Sequence, residues 1–180
     1  GQAPICFPIC GGLRDGRAMT MGGREVKLAR HGFARKQEWK LEEQSDSMVA
    51  LSLSSADHAE LLEQYPYPFK IVARYTIDAA KVAVSYEVTN EGTEDMPFFV
   101  GGHPGFKCPL DEGESYDDYE LRFDQREADE LCTAVPSTGL IDVEHRSKNP
   151  MVGHDLPLTH ELFDFAETIF DVLESRVVTL

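Results

Sequence analysis

The sequence predicts an all-β fold, an antiparallel β-sandwich or barrel carrying one short helix. Three observations predict it: apolar and polar residues alternate with a period of two, turn-forming clusters interrupt these runs at short intervals, and a single stretch has a helical pattern. The clearest alternation is a pair of runs at 69–77 and 82–90. Phe69, Ile71, Ala73, Tyr75 and Ile77 share one face of the first, and Val82, Val84, Tyr86 and Val88 share one face of the second, because successive strand side chains point to opposite sides. The short link Asp78-Ala79-Ala80-Lys81 joins them as a hairpin. Shorter strands are expected at 25–29, 38–41, 49–53, 97–100, 119–123 and 176–180, separated by clusters such as Asn90-Glu91-Gly92-Thr93. The helix is expected over 56–64, with Asp57 and Glu60 as a capping box and Tyr65-Pro66 ending it.

A chain of 180 residues fits one domain spanning 1–180, and an apolar share of 42% with ten Phe and six Tyr supplies a core. Lysine and arginine number 17 against 32 acidic residues, a formal charge of −15. That charge repels phosphate backbones and anionic lipid, so neither nucleic acid nor membrane is an expected partner. No apolar run approaches the roughly 20 residues that cross a bilayer. The start Gly1-Gln2-Ala3-Pro4 has no basic signal head, and a cytoplasmic location is the expectation.

The four cysteines, Cys6, Cys10, Cys108 and Cys132, form no Cys-x-x-Cys pair. On an extended segment Cys6 and Cys10 fall on one face, which suits core thiols, with a metal pair as the alternative. A reducing compartment leaves them free. The acidic stretch 111–120 reads as a solvated loop and lacks the ligand spacing of a calcium loop. His145, His154 and His160 share neither a helical face nor a compact loop, so no metal is expected there. No cofactor is expected elsewhere.

Three segments combine glycine or proline with a functional side chain, as backbone that approaches a ligand closely requires. Gly11-Gly12-Leu13-Arg14-Asp15-Gly16 offers Arg14, whose fork of donors suits hydroxyl or carboxylate oxygens but also suits pairing with Asp15 or a neighbouring loop. Arg30-His31-Gly32-Phe33-Ala34-Arg35 exposes an imidazole at a glycine turn. Phe98-Phe99-Val100-Gly101-Gly102-His103-Pro104-Gly105-Phe106 places a histidine at the end of an apolar strand, its direction fixed by glycines and a proline. Imidazole is the side chain suited to donate and recover a proton within one turnover. Phe33, Phe99 and Phe106 form either a floor for a sugar ring or part of the core.

The ordered set of these segments, with Pro4-Ile5-Cys6-Phe7-Pro8 before them and Lys107-Cys108-Pro109-Leu110 after, resembles the aldose 1-epimerases, especially the LacX-type branch. The resemblance is strong from Ala3 to Leu110 and continues more weakly through Leu156-Pro157-Leu158, Glu161-Leu162-Phe163 and Ser175-Arg176-Val177-Val178-Thr179-Leu180. It implies a galactose-mutarotase-type sandwich with a small-molecule sugar in an open cleft. It also implies a mechanism: a carboxylate removes the proton of the anomeric hydroxyl, a histidine protonates the ring oxygen, the ring opens, the C1–C2 bond rotates, and closure gives the other anomer. By position, His103 is then the general acid, His31 assists at the ring oxygen, and Arg14 holds a hydroxyl. Arg35 and Phe106 complete the expected substrate contacts. Arg35 and Lys107 could serve a phosphate, although the net charge opposes an anionic ligand.

Both ends look trimmed relative to the family pattern, and the glutamate base that the family carries near its carboxyl end is not assignable. Where LacX-type relatives carry an Asp-Ala pair this chain reads Ala166-Glu167, which leaves Asp164 and Glu167 as the acids to consider. The chain is therefore expected to be a piece of a longer product, or to self-associate through exposed strand edges. The alternative to an enzyme is a sugar-binding sandwich, or an inactive remnant, that kept the cleft and lost the base.

Overall fold

A computed structural model describes residues 3–164 and 167–180 of the chain. Its strands pair antiparallel throughout, and they fall into two compact units, Gly1–Pro104 and Gly105–Leu180.

The first unit contains β1 (Ile5–Cys6), β2 (Arg17–Met19), β3 (Glu25–Lys27), β4 (Lys40–Ser45), β5 (Met48–Ser54), β6 (Phe69–Asp78), β7 (Lys81–Asn90) and β8 (Gly101–Gly102). They form a four-stranded sheet in the order β4-β5-β6-β7 and the pairs β2-β3 and β1-β8. The β6–β7 hairpin runs in unbroken register from Phe69 opposite Asn90 to Asp78 opposite Lys81. Ala79 and Ala80 make its turn, and Ala79 takes φ 51°, the left-handed value that matches a tight turn to strand twist. The face expected from alternation is the buried one at its Phe69 end. Phe69, Ile71 and Ala73 are fully buried, whereas Ile77, Val82 and Val84 near the turn are exposed.

Aromatic rings close the core beneath this sheet. The Phe7 ring lies 5.1 Å from Phe69 and 6.1 Å from Phe33, and Phe33 stacks on Phe69 at 5.7 Å, within the range where such pairs add to simple burial. Tyr65 is buried among them and donates its hydroxyl to the Pro97 carbonyl at 2.8 Å. Burial pushes that phenol well above its ordinary range.

Three local expectations change. The stretch expected as a helix is a 3-10 turn over Ala59–Glu63 with no side-chain cap. Asp57 is engaged elsewhere, by Lys40 and by the Ser54 hydroxyl, so the capping box does not form. Residues 97–100 are irregular, and the pairing falls on Gly101–Gly102 instead. Its partner β1 ends before Pro8, which has no amide hydrogen to extend the ladder.

The second unit contains β9 (Glu120–Phe123), β10 (Glu130–Val135), β11 (Leu140–Lys148), β12 (Asp155–Pro157), β13 (Thr168–Ile169) and β14 (Val178–Thr179), in two three-stranded sheets ordered β11-β10-β13 and β12-β9-β14. Among the described residues its buried apolar ones are Phe123, Leu131, Cys132, Ala134, Leu156 and Leu158. Carboxylates fasten its last segment. Glu127 accepts the amides of Glu174 and Ser175, each at 2.9 Å, and Asp124 accepts those of Arg176 and Val177. The acidic stretch is largely exposed, as expected, around a 3-10 turn at Tyr116–Asp118. Among the described residues no helix is long and apolar enough to cross a membrane.

Candidate active site

The site begins where the chain leaves β1 and meets the turn at His31-Gly32. A side chain on Gly32 would place its Cβ 2.1 Å from the Phe7 carbonyl oxygen, and Gly32 takes φ 72°. Only glycine lets the two backbones pass this closely. The Phe7 carbonyl then accepts the amides of Phe33 at 3.0 Å and Ala34 at 3.3 Å, while the Phe7 amide donates to the His31 carbonyl.

His31 itself takes φ 67°, a left-handed conformation that a non-glycine residue holds only when its surroundings impose it. Gly11 imposes it. The His31 amide donates to the Gly11 carbonyl at 2.7 Å, and the Gly11 amide donates to His31 Nδ1 at 3.1 Å. A nitrogen that accepts cannot carry a proton, so the Gly11 bond selects the neutral tautomer protonated on Nε2. Arg30 Nε lies 3.4 Å from Nε2. In that tautomer donor would face donor there, and we read the approach as a packing contact because the Gly11 bond is shorter.

β8 delivers the second imidazole. His103 follows Gly102, and its amide donates to the Pro4 carbonyl at 3.0 Å. The His31 and His103 ring centroids are 5.3 Å apart at an interplanar angle of 72°. His31 is half-buried and His103 exposed. Among the described residues no side-chain hydrogen bond engages His103.

The glycines before His103 are there to make room. A Cβ on Gly101 would sit 2.9 Å from Cys10 Sγ, and a Cβ on Gly102 would sit 3.0 Å from the Tyr86 hydroxyl. Tyr86 thus reaches the strand end that carries His103. Burial, with Tyr75 and Cys6 nearby, pushes its phenol upward and keeps it a donor. Sequence alternation places Tyr86 on the core face of β7 without revealing this reach.

The other expected contacts are placed as follows. Arg14 is exposed in a 3-10 turn over Arg14–Gly16 and has no ion pair or side-chain hydrogen bond among the described residues, so the pairing with Asp15 does not form. Arg35 is exposed in the turn Ala34–Lys36 and donates to the Arg30 carbonyl at 3.2 Å; burial pushes the Cys6 thiol up, and the Arg35 charge offsets part of that rise. Among the described residues no hydrogen bond links the Arg14 or Arg35 guanidinium to His103, and each lies in its own turn. Phe33 is core rather than a sugar platform, while Phe99 is exposed. Phe106 is exposed near the start of the second unit, where Lys107 donates to the Leu110 carbonyl at 2.7 Å. Asp164 is exposed at the end of the turn His160–Phe163, and Glu167 is exposed as well. Ala166 lies outside the described residues.

His145 pairs with Asp142, His154 bonds the Phe123 carbonyl, and His160 stacks on Tyr116. Among the described residues no cluster of ligands suited to a metal ion occurs.

The family model for aldose 1-epimerase matches residues 2–171. The chain belongs to the aldose 1-epimerase family. Two LacX proteins of Lactococcus lactis, one plasmid-borne and one chromosomal, are 40% identical to it across 100% of this chain. The chain spans 61% of the length of these relatives. A solved galactose mutarotase related enzyme from Lactobacillus acidophilus is 29% identical, with a TM-score of 0.78 over 91% of this chain and 53% of its own. A galactose mutarotase-like protein from Lactobacillus casei is also 29% identical, with a TM-score of 0.74 over 91% of this chain and 55% of its own. The fold of this epimerase-family chain is therefore of the galactose mutarotase-like type, an antiparallel β architecture as its alternation predicts.

Proposed function

We propose that this chain acts on a free aldose, interconverting its α and β anomers by acid/base ring opening, with His103 as the general acid. The observation that carries the reading is the contact of the two imidazoles, brought together from turns 72 residues apart in the sequence, His31 and His103. His103 donates its proton to the ring oxygen as the C1–O5 bond breaks. His31, held neutral by the Gly11 amide, offers Nε2–H to the same oxygen and stabilises the developing charge. Arg14 is the donor assigned to a sugar hydroxyl. Removal of the anomeric proton calls for a carboxylate, as the family resemblance implies, and rotation about C1–C2 before ring closure delivers the other anomer.

The test is the anomerisation of α-glucose and α-galactose followed by NMR with purified protein. Saturable acceleration supports the reading. Saturable binding without acceleration assigns the chain to the sugar-binding alternative instead. The charge of −15 favours neutral sugars over sugar phosphates, so phosphorylated aldoses are expected to compete poorly.

A further inference from the structure

The Cys6 and Cys10 side chains lie on the same spot of the molecule, reached by two independent lines of geometry. Cys6 is the register partner of Gly101 across the β1–β8 pair, and directly opposed positions bring their Cβ atoms within about 4.5–5.5 Å. Cys10 Sγ lies 2.9 Å from the place a Gly101 Cβ would take. Its sulfur therefore fills the vacancy beside the Cys6 side chain. Both are free thiols, Cys10 exposed and Cys6 buried. The residue after Cys10 is Gly11, whose amide, part of the Cys10–Gly11 peptide, donates to His31 Nδ1.

We propose that Cys6 and Cys10 form an oxidation site for small-molecule disulfides, and that closing the Cys6–Cys10 bond withdraws the Gly11 amide from His31. The exposed Cys10 thiolate attacks one sulfur of the oxidant and releases its first thiol. Cys6 then attacks the Cys10 sulfur of the mixed disulfide and releases the second. The two cysteines lose two protons and two electrons, and the oxidant is reduced to two thiols. A disulfide holds its sulfurs at about 2.05 Å, far inside the non-bonded contact of two free thiols, so closure moves Cys10 and tilts the peptide that positions Nδ1. Burial raises both thiols above their ordinary range, so the reaction accelerates as pH rises, through a larger thiolate fraction. The link to turnover rests on the proposed role of His31, but the chemistry of the dithiol does not.

The experiment treats the protein with glutathione disulfide, alkylates residual thiols and digests with trypsin. Cys6 and Cys10 share the peptide ending at Arg14, while Cys108 and Cys132 fall in others. The expected result is loss of two hydrogens from that peptide without retained glutathione, together with a changed His31 ring nitrogen resonance that Cys10→Ser no longer shows. A stable glutathione adduct on Cys10 with Cys6 still alkylated would overturn the site. A closed disulfide with an unmoved His31 resonance would overturn the coupling. If both changes occur while the reduced protein does not accelerate anomerisation, the dithiol stands and the proposed function fails.

Discussion

Replacing Gly32 by alanine tests the construction of the site at its narrowest point. The added Cβ would lie 2.1 Å from the Phe7 oxygen and 2.5 Å from its carbonyl carbon, both backbone atoms that no rotamer change can clear. The left-handed φ of 72° alone costs about 1–2 kcal/mol with a side chain. Displacing the Phe7 carbonyl also weakens its bonds to the Phe33 and Ala34 amides, and leaving such buried groups unsatisfied costs about 1–3 kcal/mol each. A total loss of about 3–8 kcal/mol follows, a large part of the roughly 5–15 kcal/mol that holds a domain folded. Gly23 supplies the control, because it has φ 76° but nothing within 4 Å of its Cβ position. Gly23→Ala should therefore cost only the conformational strain. Denaturant titration of both variants by fluorescence of the single Trp39, a residue of the first unit, reads the difference. Equal losses for the two would show that the Phe7 approach is not as tight as the geometry has it, and the account of why glycine follows His31 would fall.

Other consequences are open to direct measurement. His103→Asn should lower the anomerisation rate on the order of 10²–10⁴-fold with an unchanged circular dichroism spectrum; an unchanged rate removes His103 from the chemistry. The His31 ring should show the nitrogen shifts of a neutral imidazole protonated on Nε2, and a Nδ1-protonated pattern in the reduced protein would contradict the Gly11 bond. In the second unit, the Ser175 hydroxyl and the amides of Glu174 and Ser175 outweigh burial and hold the Glu127 carboxyl below its ordinary range. A carboxyl depressed in the folded state stabilises above its unfolded value and loses that contribution as pH falls through the folded one. The protection of the Ser175 amide against exchange, relative to an unstructured amide at the same pH, should therefore fall on the acid side of the ordinary carboxylate range, and Glu127→Gln should show the low protection already at neutral pH. A flat pH profile for the native protein would refute it.

The hairpin was legible because Phe69, Ile71 and Ala73 meet the core at every second position and a short link could serve no other purpose. β4 was legible only in part, since Leu41 is followed by Glu42-Glu43-Gln44 and every residue of the strand is exposed. β11 escaped for the same reason. Its Ile141 and Val143 alternate, but they face outward among charged neighbours and imprint no core pattern. The turn at Ala59–Glu63 looked helical because Asp57 has the right type and spacing for a cap, and sequence cannot say that Lys40 engages it first. The site was legible as an ordered set of short segments. That His31 and His103 touch is a matter of tertiary structure, set by the β1–β8 pair and the Gly32 crossing, and no periodicity encodes it. Tyr86 was hidden for the opposite reason, since a residue that satisfies the core pattern gives no sign that its hydroxyl goes further.

The two units are held by different means. Aromatic rings packed on a long hairpin close the first, whereas the second buries few large side chains and secures its last segment by carboxylate-to-amide bonds at Asp124 and Glu127. Regions with few buried apolar contacts open at lower free energy than the rest of a native protein. A protease added in trace amounts should therefore cut first beyond Pro104, and mild acid should sharpen that preference, leaving a resistant fragment that still carries both imidazoles.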